Sequence, residues 1–494
     1  MFHSSRSEVK SLSGGGRWRL LVVCLLVILA YGCLIPASTA HAMSSDTTVA
    51  TINGLLRYQT IDGFGFSEAF GRANSMYNAP PALRQQMIDL LFNPVTGAGF
   101  TILRNIISSD ANSIEPDSPG SPTAPPQYVW DGYDTGQVWL SQQAQFYGAQ
   151  IYADAWSAPG FMKTNGDQAN GGTLCGVPGA TCSSGDWRQA YANYLAQYIK
   201  DYASEGIRIA GVGFVNEPNL TTSYSSMVIN PEQAVDFIKV LGPTLKADRL
   251  STRIVCCDAE GWDLAPAYTS AIMSDPLARF YVGIISSHGY TEAPTFPLSA
   301  GNKHVWQTEW ANFDTFDPAW DDGTAAAGFT WAQNIYTGLT SANLSAFLHW
   351  WGVNTSDTNS GLIHYDQTAN TLTTSKRYYA FVNYSRFIRP GAVRLGASSS
   401  NSGLEVTAFR NRDGSLVIVA LNTATTATPV SFSLRGLRVA WGSVAVPYVT
   451  DANNDTAPQV PIVIKDGGFS TTVGPRALVT YQIVPPERGY GAEE

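Results

Sequence analysis

Eight short apolar runs, each followed by a longer stretch of helical periodicity, occupy the chain from about residue 60 to residue 385. The runs lie at Thr60 to Gly63, Phe100 to Leu103, Gln150 to Ala153, Ile209 to Phe214, Arg253 to Cys257, Gly283 to Ser287, His304 to Gln307 and Ala346 to His349. Parallel strands cannot be joined by a tight turn, because the chain must travel back to the starting end, and an amphipathic helix is the usual return. One such helix is plain in Trp187, Tyr191, Tyr194, Leu195, Tyr198, Ile199 and Tyr202, which recur along one helical face. Another opens with Asn230-Pro231-Glu232-Gln233, an N-cap followed by Pro at the first helical position and Gln at the third. Eight strands with intervening helices predict the α/β class and, within it, a (β/α)8 TIM barrel over residues 60–388.

After Pro390 the texture changes to alternating strands with turn signals. In Phe409 to Leu421 the pair Asp413-Gly414 marks a hairpin. An all-β side domain is therefore expected over residues 389–486. Segment 43–59 is expected to join it, since Val49 to Tyr58 alternates polar and apolar residues. The Pro- and Ser-rich stretch Ser108 to Tyr128 falls between the second strand and its helix, on the face where barrel loops shape an active site.

The N-terminus reads as an address. Arg6, Lys10, Arg17 and Arg19 precede the apolar run Leu20 to Ala30, and Ala40-His41-Ala42 offers a small-x-small cleavage pattern, so residues 1–42 are expected to be a secretory signal peptide and the product extracellular. Eleven apolar residues are too few for a membrane span, which needs about 20. The formal charge is −9, and no basic block follows the first twenty residues, so nucleic acid and anionic membrane are poor partners. A neutral polymer or small molecule fits better, and a monomer is expected. Export permits disulfides, and Cys175 and Cys182 flank a short Gly/Pro loop that they are expected to close. Cys256 and Cys257 are adjacent in an apolar run and on a regular strand would face opposite sides, so their pairing is left open. His288, His304, His349 and His364 show no metal-ligand spacing, and neither metal nor cofactor is expected.

Two glutamates carry the chemistry. Glu217 follows the fourth strand in Gly213-Phe214-Val215-Asn216-Glu217-Pro218-Asn219, and Glu309 follows the seventh in Val305-Trp306-Gln307-Thr308-Glu309-Trp310. A carboxylate at the end of an apolar strand must be solvated, paired or functional, because burying it alone costs several kcal/mol. Two of them on one rim suit glycoside hydrolysis by a pair of carboxyl groups.

The segments IDGFGFSEAFGRA, LRNIISS, YADAWSAPGFMKTNG, GFVNEPN, HGY, WQTEWA and HWWGVN together resemble glycoside hydrolase family 30. SEAFGRANSMYN, GGTLCGVPGATCSSGDWRQAYANYL and CCDAEGW are similar to its mainly fungal xylanase and glucuronoxylanase subgroup. The resemblance implies a retaining enzyme with Glu217 as acid/base and Glu309 as nucleophile, acting on the β-1,4-xylosidic bonds of (4-O-methyl)glucuronoxylan in plant cell walls. It implies that Arg72 pairs with the carboxylate of a glucuronosyl branch. Asn216 is expected on the sugar 2-hydroxyl, Arg104 and Tyr290 as donors to Glu309, and Trp156 and Trp351 as stacking residues, all six counted as substrate-binding. Trp306 is assigned to the core, on the face of its strand opposite Glu309, and His288 and His349 are read as neutral supports.

Beside the fungal subgroup it resembles, the loop after the second strand looks shorter between Ser109 and Ser113, which weakly favours internal cleavage over release of short units from a chain end. Competing readings are an exo-acting xylanase (xylobiose-releasing or reducing-end), a β-1,6-glucanase or galactanase of the same family, and a non-catalytic carbohydrate-binding protein.

Overall fold

The computed structural model describes residues 47–484; the signal-like segment 1–42 lies outside them. Eight parallel strands form the barrel: β1 (Gly63–Ser67), β2 (Ile102–Ile107), β3 (Gln150–Ala155), β4 (Ile209–Gly213), β5 (Arg253–Ala259), β6 (Val282–Ser287), β7 (His304–Gln307) and β8 (Ala346–Asn354). Each pairs with the next, and β8 closes on β1 with Gly63 opposite Ala346 and Phe64 opposite Phe347. The first strand starts later than the apolar pattern suggests. Residues up to Thr60 belong to a 13-residue strand of the other sheet, Thr48–Thr60, and an apolar alternation does not mark where a chain changes sheets.

Period-two alternation decides what fills the barrel. Ile102, Tyr152, Val255, Ile284, Trp306, Ala346 and Leu348 pack together as the floor of its interior. Two residues further along the same faces stand Arg104 on β2 and Asp154 on β3, so the interior turns from apolar to charged toward the strand C-terminal ends. Glycine makes room for that layer. A Cβ on Gly213 would lie 1.9 Å from Asp154 Oδ1 and 2.6 Å from Tyr152 Oη.

The helix Arg188–Ser204 buries Tyr191, Tyr194, Leu195, Tyr198, Ile199 and Tyr202, the expected stripe. Its tyrosine tips are satisfied: Tyr191 donates to Phe214 O at 2.7 Å, and Tyr198 and Tyr202 donate to Asp134 at 2.8 and 2.6 Å. The helix Pro231–Ala247 is closed by the expected capping box, with Gln233 N–H donating to Asn230 Oδ1 at 2.9 Å and Asn230 N–H to Gln233 Oε1 at 3.0 Å.

In the second sheet Thr48–Thr60 lies between Val393–Ser399, antiparallel, and Thr428–Arg435, parallel. Leu404–Arg410 and Leu416–Asn422 form the hairpin turned by Asp413-Gly414, where Gly414 takes φ 88°. Cys175 is bonded to Cys182 as expected. Cys256 is bonded to Cys257, so the alternation expected of a regular strand does not hold there.

Gly213→Ala is expected to overpack the charged layer at a cost of about 1–3 kcal/mol, read as a lower midpoint in thermal or urea unfolding. An unchanged midpoint would mean that Asp154 and Tyr152 have room to move.

Candidate active site

The turn that leaves β4 places Glu217 with φ 47°, a left-handed conformation that is uncommon for a residue with a side chain and concentrates at functional sites. Two backbone bonds hold it there: Glu217 N–H donates to Asp258 O at 2.8 Å, and Leu220 N–H donates to Glu217 O at 2.8 Å. Glu309 emerges past β7, its carbonyl accepting from Gly289 N–H at 3.2 Å. Ligand-type atoms of Glu217, His288 and Glu309 all lie within 4.8 Å of one another.

Beneath the two carboxylates sits Arg104, with no exposed surface. Its Nη1 donates to Glu309 Oε2, and its Nη2 faces Asp154 Oδ2 at 2.7 Å, Asn216 Oδ1 at 2.6 Å and Asp258 Oδ2 at 3.0 Å. Burial alone would push the guanidinium down, but Asp258, Glu309 and Asp154 hold it charged, well above its ordinary value. The carboxylates respond unequally. Burial would raise Asp258, yet Arg104 and His288 keep it well below the usual range, whereas Asp154 is driven well above it by burial and by Asp258. Tyr290 Oη donates to Glu309 Oε1 at 2.8 Å. Burial pushes the Glu309 carboxyl up, His288 and Arg104 pull it back, Glu217 adds to the rise, and the net direction is upward.

Two readings from sequence need correction. Arg104 does not bind substrate, because it is wholly enclosed and its two terminal nitrogens are turned to four oxygens of the protein; it acts on the carboxylates instead. His288 is not neutral. Burial would lower it, but Glu309, Asp258 and Glu217 raise it to about 10, so it is an imidazolium that donates from Nδ1 to Glu217 Oε1 at 3.1 Å and faces Asp258 at 3.7 Å. His349, lowered to about 3 by burial and by Arg377, is neutral as expected, with Nδ1 3.1 Å from Trp351 O.

Above the carboxylates opens a cavity of about 520 Å³, in which Tyr290, Trp156, Trp350 and Trp351 join Glu217 and Glu309. Trp156 lies over the Arg104 guanidinium at 4.3 Å and packs against Trp350 at 5.9 Å. Trp351 stacks on Trp350 at 4.9 Å, and Arg72 lies 4.2 Å over its ring. Asn216 is nearly enclosed, and Arg104 fixes its Oδ1, which leaves Nδ2 as the group able to donate. Arg72 stands behind Trp351 rather than among the lining residues: Nε donates to Asn354 Oδ1 at 2.9 Å and Nη2 to Ser356 Oγ at 3.3 Å. Trp306 is core as expected, but it faces the barrel interior, donating to Asp62 Oδ2 at 2.7 Å. β7 ends at Gln307, so strict alternation does not extend to Glu309.

Sequence reasoning missed Phe70, Leu220, Tyr224, Glu260 and Phe313, which also line the cavity, and the buried Asp154 and Asp258. The signal for the two aspartates was their place in YADAW and CCDAEGW at strand ends; the cavity residues sit in loops, where no periodicity identifies them. The stretch Ser108 to Tyr128 lends no lining residue, and Ser109 instead meets Ser225 Oγ at 3.3 Å.

The fold agrees with comparisons to known proteins. The Glycosyl hydrolase family 30 TIM-barrel domain matches residues 136–316, and the Glycosyl hydrolase family 30 beta sandwich domain matches residues 391–481. The catalytic domain of xylanase C from Talaromyces cellulolyticus is 45% identical, with a TM-score of 0.83 over 88% of this chain and 100% of that one. An endo-1,6-β-D-glucanase of Neurospora crassa is 28% identical over 74% of this chain and 79% of its own. The glucuronoxylanase XynC of Bacillus subtilis is 23% identical over 94% and 97%. The chain belongs to glycosyl hydrolase family 30.

Tyr290→Phe removes a donor from the Glu309 anion, so the pKa of Glu309 rises further and the acid limb of kcat/KM moves to higher pH. The loss of one charge-assisted hydrogen bond is expected to lower kcat/KM about 10- to 150-fold. A pH–rate profile of wild type and variant checks both.

Proposed function

We propose that the chain is a retaining, endo-acting xylanase that cleaves β-1,4-xylosidic bonds of glucuronoxylan outside the cell that makes it. The observation that carries the mechanism is the approach of Glu217 and Glu309 within 4.8 Å, with Arg104 and Tyr290 both donating to Glu309. Retention needs carboxyl groups about 5–5.5 Å apart, too close for a water between them, so one attacks carbon directly. Two donors, one of them a guanidinium, favour the Glu309 anion as that nucleophile. Glu217 protonates the departing oxygen, and after the glycosyl-enzyme forms it accepts a proton from the attacking water. Asn216 Nδ2 is available to the sugar 2-hydroxyl, and the stacked tryptophans offer apolar faces to a pyranose ring.

Xylan as the substrate is supported by the 45% identity to a xylanase and by SEAFGRANSMYN and CCDAEGW. The glucuronosyl branch is assigned to Arg72, whose Nη1 has no hydrogen-bond partner among the described residues. Export is supported by the N-terminal address; no helix among the described residues is long and apolar enough to cross a membrane. The relative from Neurospora crassa favours a second reading, hydrolysis of β-1,6-glucan.

Assay on glucuronoxylan, unbranched xylan and β-1,6-glucan decides between the substrates. Glu309→Ala is expected to lose nearly all turnover, and azide to restore it with inverted configuration; rescue with retained configuration would reverse the two roles. Arg72→Ala is expected to lose about tenfold more kcat/KM on glucuronoxylan than on unbranched xylan. Equal losses would make Arg72 only a support for Trp351.

A further inference from the structure

Glu260 follows β5 and lines the cavity beside Glu217, Leu220 and Tyr224. It is held at two points by one side chain: Asn219 Nδ2 donates to its Oε2 at 2.8 Å, and its own N–H donates to Asn219 Oδ1 at 3.1 Å. Its carbonyl accepts from Tyr290 N–H at 3.1 Å. Asn219 stands two residues past Glu217, so this carboxylate is fixed to the turn that carries the acid/base. Among the described residues no Lys, Arg or His pairs with it, and its Oε1 has no hydrogen-bond partner.

The cleft is therefore electrically lopsided. Arg72 stands behind Trp351 on the wall built from the ends of β1 and β8, while Glu260 stands on the wall after β4 and β5, and the charge of Arg104 is buried among carboxylates. The proton that Glu217 delivers goes to the oxygen of the departing sugar, so that sugar meets the part of the cavity lined by Glu217, to whose turn Asn219 ties Glu260. A neutral xylosyl unit can donate a hydroxyl to Oε1. A unit that bears a carboxylate meets a like charge with no counter-ion.

We propose that Glu260 determines specificity on the leaving-group side: it admits an unbranched xylosyl unit, rejects one carrying a glucuronosyl carboxylate, and so fixes where a branched chain is cut. This rests on the xylan reading. A like charge facing another in a half-exposed cleft lowers productive binding about tenfold.

The test uses xylooligosaccharides of one length, linear or with a single glucuronosyl branch on the leaving-group side, and reads the ratio of kcat/KM between them. Glu260→Gln keeps size and an acceptor for Asn219 while removing the charge. The linear-to-branched ratio is expected to fall about tenfold in the variant, and mass spectrometry of glucuronoxylan products to find branches on leaving-group fragments that wild type does not release. Raising salt from about 20 mM to about 0.5 M should shrink the wild-type ratio and leave that of the variant unchanged. Equal ratios in wild type and variant overturn the proposal. Should the variant not fold, the wild-type salt titration decides alone, and a ratio indifferent to salt overturns it. If wild type cleaves neither these substrates nor glucuronoxylan, the xylan reading itself falls and takes this inference with it.

Discussion

A guanidinium with no exposed surface stands at the centre of the barrel mouth. Removing such an ion from water costs several kcal/mol unless well-placed anions replace the solvent. Arg104 meets that demand with the carboxylates of Asp258 and Glu309, from β5 and the segment after β7, and with a carboxyl oxygen of Asp154 on β3. Each carboxylate needs Arg104 as much as Arg104 needs it. The position of Glu309 is thus settled by the same balance of charges that keeps the upper barrel from being an unpaired polar void. His288 extends the arrangement, since its charge exists only because three acidic groups surround it.

Features that depend on local chain chemistry were legible in the sequence. The capping box at Asn230, the aromatic stripe from Tyr191 to Tyr202 and the turn at Asp413-Gly414 each reflect a few neighbouring residues, and each appears as expected. Glu217 and Glu309 were legible because strand ends in a barrel share one rim. Features that depend on distant segments meeting were not. The charge of His288 needs carboxylates from three loops or strands, the enclosure of Arg104 needs Trp156 over it, and the start of β1 needs knowledge of which sheet Thr60 serves. Phe70, Tyr224 and Phe313 come from loops whose course no periodicity predicts.

The cavity joins two kinds of surface. One wall is aromatic, with Trp156, Trp350 and Trp351 in mutual contact, and suits the apolar faces of sugar rings. The other is acidic, with Glu217, Glu260 and Glu309, and suits the hydroxyl edges. The buried charge network holds Glu217, Glu309 and Asn216 in place, and among the described residues it makes no hydrogen bond to the side chains of Phe70, Leu220, Tyr224, Glu260 or Phe313 in the loops that line the rest of the cavity. Relatives named as a xylanase and as a 1,6-β-glucanase are therefore compatible with one centre, and discrimination is left to the loops around it.

The strand Thr48–Thr60 has a consequence for how the molecule is made. It is interior to its sheet, yet its partners come from the far end of the chain; Val49 N–H donates to Ser400 Oγ across 351 residues. At about 5–20 residues per second, a ribosome takes roughly 20–70 s to deliver the neighbours of this strand. Throughout that interval the strand lacks both of the neighbours it has in the folded chain. The barrel also does not stand as a simple N-terminal module, because the residues that lead into β1 are already woven into the companion sheet.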